Sequence, residues 1–326
     1  MTRIRILLIG VVLLAGALGV GVVFFRSQPA ARVLPPEFVR SIETAAETLT
    51  MVRFGPEGKS LLAGGATGEV VSVTLEPDRV QQLAPATDDP LTCLAESPDG
   101  LILAGAASGR LRAWERPELK TTPVSSPKLA VTAIAFGIER TERRMVLGLS
   151  DGRIVITSPE GENIRQTKHR GVKSLLMTSD GTTLISSGSE GLILWSDSET
   201  GSLIGEFKGH RAEVASLVLS PDGTQIASSD WNGEIKVLDV RTREEVASVQ
   251  QPDAVSGLVW TGERLISASW DGWIRSWQVE SGKLADGPGF DTGAPIHGLA
   301  VSPDGSLMAT AHGSTSVDLW KSGSGH

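Results

Sequence analysis

The sequence contains no tyrosine and a single cysteine, and aromatic residues make up only 5% of it. One cysteine, Cys93, excludes an intrachain disulfide. It sits in the apolar run LTCLA, which places it in the interior as a small hydrophobe. Histidine is sparse too. His169, His210, His297, His312 and His326 fall into no HExxH and no cysteine–histidine spacing, so no metal site is expected. No CxxCH haem attachment and no glycine-rich phosphate loop occurs, so neither a cofactor nor a catalytic residue is assigned. Basic charge is in deficit, with 30 Lys and Arg against 38 Asp and Glu and a net charge of −8. A nucleic-acid surface needs a basic face to displace counterions, so no nucleic-acid partner is expected. These shortages do not amount to disorder: 40% of the residues are hydrophobic and 21% charged, the balance of a folded chain.

The one long apolar run is at the start. MTRIR (1–5) is followed by ILLIGVVLLAGALGVGVVFF, Ile6 to Phe25, without a charge. Twenty residues of helix span about 30 Å, the thickness of a hydrocarbon core. A cleavable signal has a shorter apolar region, so the length favours a single-pass anchor over 6–25, with 26–36 as linker. Arg3 and Arg5 precede the run, while Arg26, Arg32 and Arg40 follow it, so basic residues do not fix the orientation. The short positive N-terminal end favours a body on the periplasmic side of an inner membrane.

What fills residues 37–321 is a repeat, leaving 322–326 as a tail. A turn of the form Pro-Asp-Gly ends at Gly58, Gly100, Gly181, Gly223, Gly262 and Gly305, with gaps of 42, 81, 42, 39 and 43 residues. The 81 is a double step with one degraded copy near IERTERR, 139–145. A second glycine turn follows about ten residues later, as in ATGEV, ASGRL, SDGRI, SEGLI, WNGEI and WDGWI. Between the turns lie apolar runs rich in small residues, LLAGGA, LILAGAA, TLISSGS and QIASSD among them. After the second turn come alternating runs such as RLRAWE, IKVLDV and VDLWKS. Period-2 alternation of Val, Ile, Leu and Trp predicts strands. Four short strands per unit, seven times, predict an all-β radial array in which each sheet buries its faces on its neighbours.

The copy GHRAEVASLVLSPDGTQIASSDWNGEIKVLDV, 209–240, resembles the WD-repeat β-propeller family. The resemblance implies a seven-bladed propeller of four-stranded antiparallel blades. The last repeat stops after its third strand, and EFVRSIE, 37–43, is the expected closing strand. Family blades often join His, Ser or Thr, Asp and Trp by hydrogen bonds. By that pattern Leu238 replaces the Trp beside His210, Asn232 the turn Asp, and Glu190 the turn acid of the His169 repeat, so no blade carries a complete set. Gln251 stands near the missing His of the repeat ending in Trp277.

Eight tryptophans stand in this sequence, and Trp270, Trp273 and Trp277 lie within one short stretch, SASWDGWIRSWQVESGK. Trp114, Trp195, Trp277 and Trp320 take the family's core position, and Trp260 precedes a turn, so these five are expected in the packing. Trp231 and Trp270 occupy turns where the family usually has a polar residue, and Trp273 follows the same turn. The resemblance places these turns on the ring face that carries the loops between blades. Trp231, Trp270 and Trp273 with Arg170, Arg211, His210 and His169 would share it. Exposed aromatics with arginine make a protein-binding patch; alternatively each Trp folds down over its neighbour's loop. The leading expectation is a membrane-tethered scaffold for membrane-associated proteins, a subunit or assembly factor of a membrane complex, and not an enzyme. The alternative is an extracytoplasmic propeller enzyme or small-ligand binder, which needs titratable side chains clustered at the channel mouth.

Overall fold

A computed structural model describes residues 37–44, 46–124, 126–139, 142–158 and 161–322. The apolar run 6–25, its flank 1–5, the linker 26–36 and residues 323–326 lie outside the described residues. Among the described residues no helix is long and apolar enough to cross a membrane.

The repeats fold as seven antiparallel blades. Blade 1 covers residues 49–84, blade 2 91–122, blade 3 131–166, blade 4 172–208, blade 5 214–250 and blade 6 255–291. Blade 7 takes Gly298–Val301, Leu307–Ala311 and Ser316–Lys321, with Glu37–Glu43 as its outer strand. The chain therefore closes as expected from the truncated last repeat. Phe38 faces Trp320 in register and Glu43 faces Ser316. The degraded copy is a full blade: its first two strands, Val131–Glu139 and Glu142–Leu149, extend past the position of the usual turn. Blade 6 splits its outer edge into Lys283–Asp286 and the short Phe290–Asp291.

The turn chemistry explains the first marker. In SPDG the serine hydroxyl donates to the aspartate, as in Ser220 to Asp222 at 2.6 Å, and accepts from the amide that restarts the strand, Gln225 N–H at 3.0 Å. Gly223 then takes a φ of +73°, which an L side chain rarely adopts. Ser97, Thr178 and Ser302 repeat the arrangement. The hydroxyl of Ser302 and the Ser306 donors hold the Asp304 carboxyl down to about 2.

Seven apolar clusters fill the seven gaps between adjacent blades. Every blade thus buries both faces, as a sheet too small for its own core requires. The small residues of the second strand mark where blades come closest. Gly64, Gly105, Gly148, Ser187, Ser229, Ala268 and Ala311 hold equivalent register positions. A Cβ on Gly148 would stand 2.5 Å from Val172 Cγ1 on blade 4. Hydroxyls bond across the same gaps: Thr92 and Thr132 donate to the carbonyls of Val131 and Val172, and Ser256 to that of Ile296 at 2.5 Å. Gly148→Val is expected to overpack this interface and cost about 1–3 kcal/mol, read as a lower denaturant midpoint with an unchanged slope.

The ring has two chemically distinct faces. One carries the Pro-Asp-Gly turns. The other carries the second glycine turns, crossed by the loops between blades. The Trp231 amide donates to Glu213 O and the Trp270 amide to Ala254 O across those loops. Glu37 lies beside Lys321 at the first face, where the Ser322 amide bonds Ser306 O. Thr44 lies at the second face, its amide on Thr315 O.

Candidate functional site

At the second face the inner strands open onto a central channel of about 640 Å³. Two turns shape its mouth. In blade 5, Asp230 Oδ1 accepts the amides of Asn232 and Glu234, both at 3.0 Å, and Gly233 sits at φ +85°. This fixes Trp231 between them. In blade 6 the Trp273 amide donates to Asp271 Oδ1 at 3.0 Å, and Trp270 stands at the corresponding corner. The two indoles meet edge to face, centroids 5.1 Å apart at 70°. Such a pair contributes about 0.5–1.5 kcal/mol beyond the area it buries. Trp270 also lies 5.7 Å from the His297 ring. Trp231 Nε1–H donates to Glu213 Oε1 at 2.9 Å, and Glu213 Oε2 pairs with Lys173 Nζ at 3.0 Å.

Lys173, Glu213, Trp231, Trp270 and His297 thus form one row across blades 4 to 7. Trp231 and Trp270 remain 39% and 41% exposed. They neither stand free nor fold away: each braces the other and leaves a face open to the channel. Burial and the neighbouring His312 hold the His297 imidazole below its usual value, which favours the neutral ring beside Trp270.

The remaining expected site residues divide. Arg170 and Arg211 are exposed on the loops of this face. Trp273 is 39% exposed, and its ring contact is with the Arg275 guanidinium, 5.4 Å from the centroid. Arg275 is in turn held by Asp271 at 2.6 Å. His210 is a correction. Its side chain is fully enclosed, and it cannot touch a partner. Its Nδ1–H donates to Asp230 Oδ2 at 3.1 Å, and Ser228 Oγ–H donates to its Nε2 at 2.7 Å. The acid of this network is Asp230, not a residue at position 232, so blade 5 lacks only the tryptophan, for which Leu238 substitutes. His169 repeats the pattern in blade 4 with Glu190 and Ser186. In blade 6, Gln251 and the Trp277 indole both donate to Ser267 Oγ, at 2.7 and 2.8 Å. Trp114, Trp277 and Trp320 are buried at one shared register position, whereas Trp195, placed there by family spacing, sits one residue earlier and is buried against blade 5; Trp260 packs partly buried against the cluster between blades 5 and 6.

Ser228, His210 and Asp230 have the connectivity of a nucleophilic triad. Ser228 has no accessible surface, however, so no substrate carbonyl can reach it. His210, Asp230 and Glu234 also offer ligand atoms within 4.8 Å of one another. Lys236 Nζ lies 2.9 Å from Glu234 and supplies the cation itself. Burial outweighs the acidic neighbours and holds His210 below the usual histidine value.

The channel wall is mostly Thr, Ser, Ala, Val and Leu. Its titratable residues are Arg53, Cys93, Lys173 and His297, and among the described residues no carboxylate lines it. Burial pushes the Cys93 thiol up to about 12, so it carries no thiolate. Sequence reasoning missed Lys173, Glu213 and His297. Aligning the repeats offers a signal for two of them: other blades put Thr50, Thr92, Thr132, Ala215 and Ser256 where these two have Lys173 and His297.

Residues 201–239, at the end of blade 4 and through most of blade 5, match the WD40 family model, WD domain, G-beta repeat. The chain is a seven-bladed propeller carrying a WD40 repeat. Actin-interacting protein 1 of Drosophila melanogaster is 25% identical over 295 residues, 85% of this chain and 48% of its own length. WD repeat-containing protein SL1-17 of Schistosoma mansoni is 31% identical over 147 residues, 44% of this chain and 48% of its own. The chain spans about half the length of these curated relatives. A chain of the solved structure titled Crystal Structure of Mitotic Checkpoint Complex superposes with a TM-score of 0.79 over 94% of this chain and 98% of its own. At 16% identity that likeness is one of fold.

Proposed function

We propose that this protein is an interaction scaffold that docks a partner protein on the channel mouth, with Trp231 and Trp270 as its apolar anchors. The observation that carries the reading is the braced, half-exposed indole pair. Large aromatics held in one conformation at a concave rim lose little freedom on binding, which is where binding energy concentrates. Arg170, Arg211 and Trp273 with Arg275 supply a polar rim around it. The name of the Drosophila relative, an actin-interacting protein, is in keeping with a binding role. Ser228 is buried, so the Ser228–His210–Asp230 network is a packing feature rather than a nucleophilic one.

The same reading includes a tether. The apolar run 6–25 has the length of a bilayer span, and the periplasmic side is the favoured location for the ring. Residue 37 starts at the Pro-Asp-Gly face, opposite the tryptophan mouth. Membrane-associated proteins are then the expected partners, gathered by local concentration.

The test is crosslinking capture from native membranes, comparing the natural chain with Trp231→Ser/Trp270→Ser. Proteins captured by the natural chain are expected to fall at least about ten-fold with the variant, the loss of a hot spot. Its melting temperature should stay within about 5 °C, because both rings are partly exposed. Undiminished capture with a large drop in melting temperature would assign the pair to packing alone.

A further inference from the structure

Arg53 breaks the pattern of the channel wall. It holds the fifth position of the blade 1 inner strand, Leu49–Phe54. The other six blades put Ala95, Ala135, Leu176, Val218, Val259 and Ala300 there, matched by register. The seven blades surround it, but its side chain is exposed to the water of the channel. Its bond is to the carbonyl of its own neighbour, Val52, at 2.9 Å, so no other blade uses it. Among the described residues no carboxylate pairs with it. Lys173, the other permanent cation of the wall, is already paired with Glu213. The surrounding blades pull the guanidinium below its usual value by partial desolvation.

We propose that the channel binds a small anion, a carboxylate- or phosphate-bearing molecule, with the Arg53 guanidinium as its anchor. A guanidinium presents paired donors that match both groups. The 640 Å³ of the channel falls within the range of small-molecule sites. Thr50, Ser174 and Ser216 add hydroxyls to the wall above it. A net charge of −8 repels anions from the outer surface, so saturable anion binding has to come from a local site. The proposal does not depend on what docks at the mouth.

Calorimetric titration of the full chain with citrate and with inorganic phosphate, at constant ionic strength, tests it. One-to-one saturable binding is expected for at least one of the two, and which one identifies the anionic group. Arg53→Met should weaken it at least about ten-fold, whereas Arg79→Met, on the exposed outer strand of blade 1, should not change it. Ala95→Glu sets a carboxylate at the same level on the next blade and should abolish binding with Arg53 in place. It decides the matter if Arg53→Met does not fold. No saturable heat up to about 10 mM of either anion, or equal binding by the natural chain and both channel variants, overturns the proposal.

Discussion

A chain that starts at residue 44 is expected to lose its cooperative thermal transition and to elute as aggregate. Strand Glu37–Glu43 is the fourth strand of blade 7, and without it Ser316–Lys321 becomes an open edge. Ile42 leaves the cluster between blades 7 and 1, and Phe38 leaves the face of Trp320. An open, apolar strand edge is a template for pairing with other chains. A milder variant grades the effect. Ile42→Ala, at a site 5% exposed, should cost about 2–5 kcal/mol and lower the melting temperature by roughly 4–15 °C. Circular dichroism melts and size-exclusion chromatography read both outcomes. A truncated chain that melted within about 2 °C of the full one would mean that the ring stands without this seam.

Asp230→Ala is expected to be the most damaging single substitution in blade 5, at about 3–5 kcal/mol. Asp230 has no accessible surface and accepts three hydrogen bonds, from His210 Nδ1 and from the amides of Asn232 and Glu234. Alanine leaves all three donors unpaired and releases the turn that carries Trp231, so partner capture should fall with stability. A second readout is pH. His210 binds its proton less readily in the folded chain than at its ordinary value of 6.5. Below that pH the unfolded chain takes up more protons, so the contribution of the neutral ring to stability is present above pH 6.5 and is lost progressively as the pH falls from there through the lowered value of the folded chain. In His210→Gln, denaturation midpoints should lose this part of their pH dependence. A natural chain equally stable at pH 5 and pH 8 would show that the ring is not held neutral.

The architecture was legible because each blade repeats the same local chemistry. Ser220 with Asp222 and Gly223 encodes its turn without help from elsewhere, and the runs of small residues recur in step with it, although only the structure shows that they mark where blades approach closely. The closing strand was legible by subtraction, since blade 7 lacked one. The site was harder, because its residues act across blades. Trp231 and Trp270 are 39 residues apart, and only the curvature of the ring brings their indoles to 5.1 Å. Asp230 was overlooked for a similar reason: family spacing pointed two residues further on, whereas the backbone turn swings the side chain at 230 inward to His210. His210 itself reads as a surface loop residue, and only the packing of Lys236, Glu234 and Ser228 around it makes it an interior one.

The seam between Glu37–Glu43 and Ser316–Lys321 also sets a clock. Ser41 bonds Asp318, 277 residues later in the chain. At about 5–20 residues per second, a ribosome needs roughly 15–55 s to make that second residue after the first. Throughout that interval the earliest strand to emerge waits without its mate, so the newborn chain depends on whatever shelters that waiting end until the final blade arrives.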